Sequence, residues 1–312
     1  MYFRPTPVER PEELFDREEE VKALREAVGR SPMVVVVGVR RVGKTSLVKA
    51  ATFGMRRVYL DLRAFEWRRY ITLDDVLGEL GRAVSGLSKR LVELLSRVEG
   101  VSVAGVEVRF ARGRGRPILH RVLEALNQWG ESEGGDVVVV LDEAQELAKL
   151  RGASLLPVLA YSYDNLPRLK FVVTGSKEGM LYKFLRLSDA ESPLYGRYAP
   201  RVEVKPLPRR LAVEYLRRGF EAAGVRVSAE VVERAVDELD GIIGWLAHFG
   251  LMAVEYAKAG KSVEEALEAS AEAGAELAWS EFCNFVALRG SGRYVDIVRA
   301  AAEGATWSEI KR

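Results

Sequence analysis

The chain has 312 residues, 48% of them hydrophobic, and its 47 basic and 45 acidic side chains give a net charge of +2. This length predicts two or more domains with an apolar core, and the balanced charge excludes a polyelectrolyte. One cysteine and two histidines exclude an internal disulfide and a cysteine- or histidine-rich metal site. No apolar run reaches membrane-spanning length and no signal-peptide core is present, so we expect a soluble, cytoplasmic protein without a membrane partner.

The N-terminal region predicts an extended lead, a helix and a strand, in that order. Residues 1–12 contain three prolines, and residues 13–28 carry apolar side chains at helical spacing. The first strand is predicted at residues 33–37, where four consecutive valines are typical of a strand buried in a parallel sheet.

The residues that follow this strand match the phosphate-binding pattern G-x-x-x-x-G-K-[ST], and a helical run begins directly after them. With the next residue, the predicted nucleotide-binding set is Gly38, Val39, Arg40, Arg41, Val42, Gly43, Lys44, Thr45 and Ser46. The glycines let backbone N–H groups curl around a phosphate, and the helix N-terminus favours the same anion. We expect Lys44 to reach the β- and γ-phosphates of ATP and Thr45 to ligate Mg²⁺. A plain glycine turn between strand and helix is the alternative interpretation.

The next hundred or so residues are predicted to form both strands and helices and are followed by a second motif. We expect a strand at 57–62, one or two amphipathic helices at 72–95, a hairpin at 101–110 and a helix at 117–129. Residues 109–116 hold four arginines and two glycines and predict a basic loop. A solvated charged turn is favoured there over a contact with nucleic acid.

The second motif is an apolar run that ends in two carboxylates, Asp142 and Glu143. Such a run predicts an interior strand of a parallel sheet. At the carboxyl end of that strand, Asp142 is expected to hold Mg²⁺ through water and Glu143 to polarise the attacking water. This is the Walker B arrangement with an additional glutamate. A solvated strand-end carboxylate is the alternative for Glu143.

A third strand, predicted at residues 169–176, ends in small polar side chains. In P-loop folds with an additional glutamate, one strand lies between the P-loop strand and the acidic strand. Its tip presents a polar residue to the γ-phosphate, and Thr174 or Ser176 is expected to do so here. Serine and threonine also cap helices well, so a strand-to-helix cap is the alternative for both residues.

The remaining elements predict the edge of the sheet and a second domain. A helix is expected at 177–187 and the last strand at 201–205, before prolines 206 and 208 break the pattern. From 209 to about 288 the chain is predicted to be helical, with breaks near 224–228, 240–244, 260–262 and 274. Valine-rich strands alternating with helices indicate an α/β fold with a parallel sheet at 1–205, followed by a small helical bundle.

These segments together resemble the archaeal ATPase family of the AAA+/STAND group of P-loop NTPases, which is related to the origin-recognition ATPases. The segments that carry the resemblance are 14–20, 38–45, 141–143, 174–176 and Ser192-Pro193-Leu194-Tyr195-Gly196-Arg197, the last being the most family-specific. The resemblance implies ATP with Mg²⁺ rather than GTP, a helical lid at 206–288, and the start of a truncated winged-helix domain at 289–312.

The same resemblance assigns further residues. Phe15, Asp16 and Arg17 would flank the adenine, although core packing is an equal alternative for Phe15. Arg197 would contact the γ-phosphate within its own chain or from a neighbouring subunit, and a salt bridge near the sheet edge is its alternative.

Two functional hypotheses follow from these residues. In the first, ATP is hydrolysed at the junction of core and lid, and the lid signals the change to a protein partner or a homo-oligomer. In the second, the chain is a nucleotide-gated DNA-binding or scaffold protein with little turnover, as the basic loop and the incomplete winged helix suggest. A degenerate, structural P-loop domain is disfavoured because Lys44, Thr45, Asp142 and Glu143 are all present.

Overall fold

The computed structural model describes residues 2–111, 113, 115–289 and 291–310. The chain divides into two compact units, one formed by Thr6–Pro206 and one by the described residues of Met1–Pro5 and Leu207–Arg312. Arg112 and Arg114 of the predicted basic loop and Lys311 and Arg312 lie outside the described residues.

The first unit is built on a parallel sheet of five strands and a separate antiparallel hairpin. Its strands are β1 (Met33–Val37), β2 (Arg56–Asp61), β3 (Val101–Ala104), β4 (Glu107–Phe110), β5 (Val137–Asp142), β6 (Leu169–Gly175) and β7 (Arg201–Glu203). The parallel sheet has the order β2-β5-β6-β1-β7, and β3 and β4 form the hairpin. The predicted hairpin and the predicted place of β6 between the P-loop strand and the acidic strand are confirmed.

Valine forms these strands because its branched side chain packs well on a pleated surface that is covered on both faces. Val34, Val36 and Val140 pack on one face with Leu24 and Leu47 from the helices that cover it. The opposite face packs against a larger apolar cluster. The polar residues of the parallel strands therefore lie mainly at the strand ends, and the carboxyl ends of β5, β6 and β1 meet at one edge.

Helices surround the sheet. They are α1 (Glu18–Arg30), α2 (Lys44–Ala51), α3 (Leu73–Val84), α4 (Lys89–Ser96), α5 (Gly115–Ser132), α6 (Leu156–Asn165) and α7 (Glu178–Leu185). Of these, α3, α4 and α5 lie in the long connection from β2 to β5. Short 3₁₀ helices lie at Pro11–Glu13, Leu62–Phe65 and Ala144–Lys149. The helices and strands that bear the predicted motifs are thus present, with shifted ends.

Two of the shifted ends have clear local causes. Helix α1 begins at Glu18 rather than near residue 13, because Asp16 has a left-handed backbone (φ +51°) and Arg17 is not helical (ψ 20°). Strand β2 ends at Asp61 rather than Leu62, because the Asp61 carboxylate accepts the Arg63 N–H and starts a 3₁₀ helix.

The second unit is helical. It contains α8 (Arg209–Ala223), α9 (Ala229–Leu239), α10 (Ile243–Lys258), α11 (Val263–Arg289), α12 (Arg293–Ala302) and α13 (Trp307–Ile310). The break predicted near residue 274 is wrong, since α11 runs through Gly274. A Cβ atom at Gly274 would lie 3.5 Å from the Trp245 ring, an ordinary van der Waals contact, so α11 packs close to that ring at this position.

The first residues of the chain group with the helical unit, whereas the predicted core begins at residue 1. The reason is Phe3, which is buried and makes edge contacts with Tyr215 and Phe220. Its ring occupies a slot left by Gly219 and Gly250, where an added Cβ would lie 2.2 and 2.4 Å from ring atoms. The limits of the predicted domains, including a winged-helix beginning at 289, stay predictions.

Every helix among the described residues is too short or too polar to cross a membrane.

Candidate functional site

The loop between β1 and α2 has the backbone that its glycines were expected to allow. Gly43, at the N-cap of α2, has φ +102°, a conformation that favours glycine. Gly38 lies so close to Val204, the residue after β7, that an added Cβ would come within 2.4 Å of the Val204 carbonyl oxygen. Val42 is fully buried and fastens the loop to the core, while Val39 and Arg41 are exposed at its tip. The loop is therefore held at both ends with its middle facing outward.

Lys44 is buried at the start of α2, with only 4% of its surface exposed. Its Nζ donates hydrogen bonds of 3.0 Å to the carbonyl oxygens of Gly38 and Val39, and lies 3.9 Å from Glu143 Oε1. Burial lowers the pKa of the Lys44 ammonium, and the carboxylates of Glu143 and Asp142 oppose this shift. The ammonium is thus placed inside the loop, at the position where the sequence analysis expects phosphate.

Asp142 is fully buried at the end of β5, and three hydroxyl groups donate to its carboxylate. Thr45 Oγ1 donates to Oδ2 over 2.9 Å, Tyr59 OH donates to the same oxygen over 2.5 Å, and Thr174 Oγ1 donates to Oδ1. A buried carboxylate requires such partners, because an unpaired one would carry a large desolvation cost. The structure brings together the two predicted metal ligands, Thr45 and Asp142.

Glu143 follows directly and has an uncommon left-handed backbone, with φ +58° and ψ +48°. A non-glycine residue in this region is strained and is often found at a functional position. Ser176 donates to its Oε2 from both the hydroxyl (2.6 Å) and the backbone N–H (3.0 Å), and Gln145 Nε2 donates over 2.6 Å. The carboxylate is therefore fixed in orientation.

The charge state of Glu143 follows from its surroundings. Burial by itself would raise the pKa of this carboxyl group, but the Lys44 ammonium and the donors on Ser176 and Gln145 outweigh it. The pKa of Glu143 lies below its ordinary value as a result, and the group is ionised at neutral pH.

The two predicted sensor residues have different partners. Thr174 is buried, donates to Asp142 and accepts the Glu143 N–H over 3.0 Å, so it joins the two acidic residues. Ser176 donates to the Glu143 carboxylate. Helix α7 begins at Glu178 and has Lys177 as its N-cap, so neither residue is the N-cap considered in the sequence analysis.

Other residues of the predicted nucleotide-binding set contact neighbouring segments. Both terminal nitrogens of Arg40 donate to the Glu66 carboxylate, over 2.8 and 3.4 Å. Ser46 Oγ accepts the Val8 N–H over 3.1 Å, which fastens the lead segment to α2. The loop is thereby connected to the region after β2 and to the N-terminal region.

Phe15, Asp16 and Arg17 lie just before α1, and their structural partners are partly defined. Arg17 is buried, and its guanidinium donates to Glu20 Oε1 over 2.6 Å and to the Lys205 carbonyl over 2.7 Å. Phe15 and Asp16 are half-buried. These contacts tie the start of α1 to the segment after β7, and contact with an adenine stays a prediction.

Arg197 pairs with a carboxylate of its own chain in this structure. Its Nε and Nη2 donate to the Asp164 carboxylate over 3.0 and 2.5 Å, Nη1 donates to the Pro193 carbonyl, and the guanidinium lies 5.8 Å from the Tyr163 ring centre. A salt bridge of this kind is the predicted alternative to a phosphate contact. A γ-phosphate contact from Arg197 stays a prediction that requires release of this pair.

Sequence reasoning missed Tyr59, Gln145 and Glu66. Tyr59 pairs with Val140 in the register of β2 and β5, so its side chain shares a face with Asp142, two residues further along β5. That contact becomes predictable only when β2 and β5 are known to be neighbours. No local pattern distinguishes Gln145 or Glu66 from other polar residues near a strand end.

The donor set fits Mg²⁺ and a nucleotide triphosphate. Mg²⁺ prefers hard oxygen ligands and is usually bound by one or two side chains together with phosphates, which matches the hydroxyl of Thr45 and the carboxylate of Asp142. The buried ammonium of Lys44 and the N-terminus of α2 supply the positive charge that phosphates require.

The strand order, the phosphate-binding loop and the acidic pair define a P-loop NTPase. The model of a family described as an ATPase domain predominantly from Archaea matches residues 14–249. The chain belongs to this family of archaeal ATPases, and the membership supports binding and hydrolysis of ATP.

Solved structures agree with this assignment. The Walker-type ATPase paby2304 of Pyrococcus abyssi is 37% identical and superposes with a TM-score of 0.83, over 99% of this chain and 86% of that one. The ORC2 protein of Aeropyrum pernix, solved in ADPNP-ADP complexes, is 17% identical with a TM-score of 0.59, over 86% of this chain and 71% of that one, and shows the shared fold. Among the curated proteins, none matches the chain.

Proposed function

We propose that the chain is a Mg²⁺-dependent ATPase whose cycle of binding and hydrolysis serves as a conformational switch on a partner. The observation that carries this proposal is the buried cluster in which Lys44, Asp142 and Glu143 meet at one edge of the sheet. A structural loop would have no need for a buried ammonium beside two carboxylates, because burying these charges is costly.

Binding would replace contacts that are present in the structure. The Lys44 ammonium, now bonded to the carbonyls of Gly38 and Val39, would turn to phosphate oxygens. Thr45 and Asp142 would hold Mg²⁺, which neutralises charge on the phosphates. Tyr59 and Thr174 would keep the Asp142 carboxylate in place through their hydroxyls.

Hydrolysis would depend on Glu143. Its ionised carboxylate would accept a hydrogen bond from a water molecule and orient that water toward the γ-phosphate. Ser176 and Gln145 fix the carboxylate, and Thr174 fixes the backbone of Glu143. The water oxygen forms a bond to phosphorus as the bond to the β-phosphate oxygen breaks, and ADP and phosphate are the products.

The test is Mg²⁺-dependent phosphate release from ATP and from GTP, with wild type beside Glu143→Gln. The glutamine keeps the size of the side chain but removes the charge, so we expect ATP binding to persist and release to fall at least about 100-fold. Glu203→Gln is the matched control, because Glu203 is an exposed carboxylate on β7.

Full-rate hydrolysis by the Glu143→Gln variant would contradict the role of Glu143. Tight ATP binding without phosphate release in the wild type would instead favour the alternative, a nucleotide-gated DNA-binding or scaffold protein. The switch itself is tested by comparing protease cleavage patterns of the chain with ADP and with a non-hydrolysable ATP analogue, which should differ.

A further inference from the structure

Two of the most exposed aromatic side chains among the described residues lie in one short segment after β2. Trp67 is 84% exposed and Tyr70 is 62% exposed. Arg68 and Arg69, between them, are exposed as well. Exposed tryptophan is uncommon on a surface without a partner, since its large apolar face gains free energy when it is covered.

Tertiary structure adds two more arginines to this segment. The Ile71 N–H donates to the Lys149 carbonyl and the Arg151 N–H donates to the Ile71 carbonyl, over 3.1 and 2.9 Å, which places exposed Arg151 beside the segment. Arg116 Nη2 donates to the Gly152 carbonyl over 3.4 Å. The basic–aromatic surface therefore consists of Trp67, Arg68, Arg69, Tyr70, Arg116 and Arg151.

The charge of the basic–aromatic surface is positive. Arg68 pairs with Asp75 over 2.5 Å, while Arg69, Arg116 and Arg151 form no ion pair with any residue that the structure describes. Asp74, the neighbouring carboxylate, accepts the backbone N–H of Gly113 over 3.2 Å. Arg116 also belongs to the arginine-rich stretch 109–116, to which the ATPase chemistry gives no role.

We propose that the basic–aromatic surface binds single-stranded nucleic acid. Exposed aromatic rings provide platforms on which unpaired bases stack, and the arginines attract the phosphate backbone. A duplex hides its base faces within its own stack, so Trp67 and Tyr70 would lack their partners there. An acidic peptide would satisfy the arginines but would not use the rings.

The surface is also connected to the phosphate-binding loop. Glu66, next to Trp67 in the chain, accepts both hydrogen bonds from Arg40 of that loop, and its carbonyl accepts Lys149 Nζ over 2.7 Å. A displacement of Trp67 when it stacks on a base would therefore reach Arg40 through one residue, Glu66. This coupling rests on the proposed ATPase function, whereas binding of nucleic acid does not.

The test measures binding of a labelled oligodeoxythymidine to the full chain by fluorescence anisotropy at low salt, without nucleotide. We expect binding that weakens as salt rises, because phosphate contacts release counterions. Trp67→Ala should weaken it about tenfold, the loss of one stacked base. The matched control is Trp279→Ala, since Trp279 is a 56% exposed tryptophan on α11 of the helical unit.

A second variant separates charge from stacking. Arg69→Ala should reduce the slope of the logarithm of the binding constant against the logarithm of salt by about 0.7. Circular dichroism should show all variants folded, because the altered side chains are exposed.

Several outcomes would overturn the proposal. They are equal binding by the Trp67 and Trp279 variants, tighter binding of a duplex of matched length, and polyglutamate that displaces the oligonucleotide equally well from wild type and Trp67→Ala.

The coupling is tested separately by phosphate release with and without oligodeoxythymidine. A change in the rate of phosphate release when oligodeoxythymidine is added to wild type, but not when it is added to Trp67→Ala, supports the coupling. Equal rates of release by wild type with and without oligodeoxythymidine contradict the coupling and leave the binding result intact.

Discussion

At the scale of single residues, the site depends on how one buried carboxylate is satisfied. Asp142 accepts hydrogen bonds from the hydroxyls of Thr45, Tyr59 and Thr174, which come from three different elements of the fold. Hydrogen bonds to a charged group are stronger than those between neutral groups, and they fix the direction of its lone pairs. Tyr59 is a positioning residue in this arrangement, since it acts on the proposed metal through Asp142.

The variant Tyr59→Phe tests that role. It removes one donor and keeps the ring, whose centre lies 5.5 Å from Lys49 Nζ and 5.6 Å from the Arg57 guanidinium carbon. We expect the Mg²⁺ concentration that gives half-maximal phosphate release to rise about tenfold, the usual effect of losing a partner of a metal ligand. Binding of Mn²⁺ to the ADP complex should weaken similarly, while metal-free ADP affinity stays unchanged.

Tyr163→Phe is the control for this experiment, because the Tyr163 hydroxyl donates to the Tyr198 carbonyl instead of to a carboxylate of the site. A metal requirement that is the same in Tyr59→Phe and wild type would show that Tyr59 does not position Asp142.

At the scale of elements, glycines with a left-handed backbone lie in the turns after several helices, and their surroundings differ. Gly224 follows α8 with φ +69° and has open space around it. Gly241, between α9 and α10, has φ +64° and lies against the backbone of Leu207, whose N–H donates to the Gly241 carbonyl over 2.9 Å. An added Cβ at Gly241 would come within 2.3 Å of the Leu207 carbonyl oxygen.

These two glycines form a matched pair for a stability measurement. Gly224→Ala should lower the free energy of unfolding of the helical unit by about 1 kcal/mol, the strain of a left-handed backbone. Gly241→Ala should lower it by about 3 kcal/mol, because the same strain is combined with a clash that only a backbone shift relieves. Urea unfolding followed by circular dichroism measures both, and equal losses would contradict the close contact with Leu207.

The same scale shows which elements the sequence predicts. Strands β1, β5 and β6 are predictable because continuous apolar runs flanked by glycine or acidic residues are strong local signals. The start of α1 and the continuity of α11 are not predictable in this way. Asp16 adopts a left-handed backbone although it is not a glycine, and Gly274 lies within α11 instead of ending a helix.

At the scale of the whole molecule, the chain has two units of which one carries the proposed ATP site. A ligand that binds only the folded state stabilises it by mass action. With Mg²⁺, ADP at about 100 times its dissociation constant should stabilise the core by about 2.7 kcal/mol and raise its unfolding temperature by several degrees. The unfolding temperature of the helical unit need not rise by the same amount, since two units can unfold in separate transitions.

The variant Lys44→Ala should abolish this shift, because it removes the buried ammonium that phosphates are expected to bind. Scanning calorimetry with and without Mg²⁺ and ADP measures the effect. Lys183→Ala is the control, since Lys183 is an exposed lysine on α7 of the same unit. A full ADP-dependent shift in Lys44→Ala would contradict the proposed phosphate site.

Three parts of the proposed site could be predicted from the sequence, namely the glycine loop after β1, the acidic pair at the end of β5 and the polar tip of β6. Each is encoded in a few contiguous residues, because the chemistry requires particular side chains at fixed positions along one strand end and one turn. The contacts between side chains that are distant in sequence follow from the tertiary structure: Tyr59 with Asp142, Asp164 with Arg197, and the backbone pairing that places Arg151 beside Ile71. Such contacts depend on the order of strands in the sheet and on the path of the segments that connect them. No local sequence pattern predicts either of these.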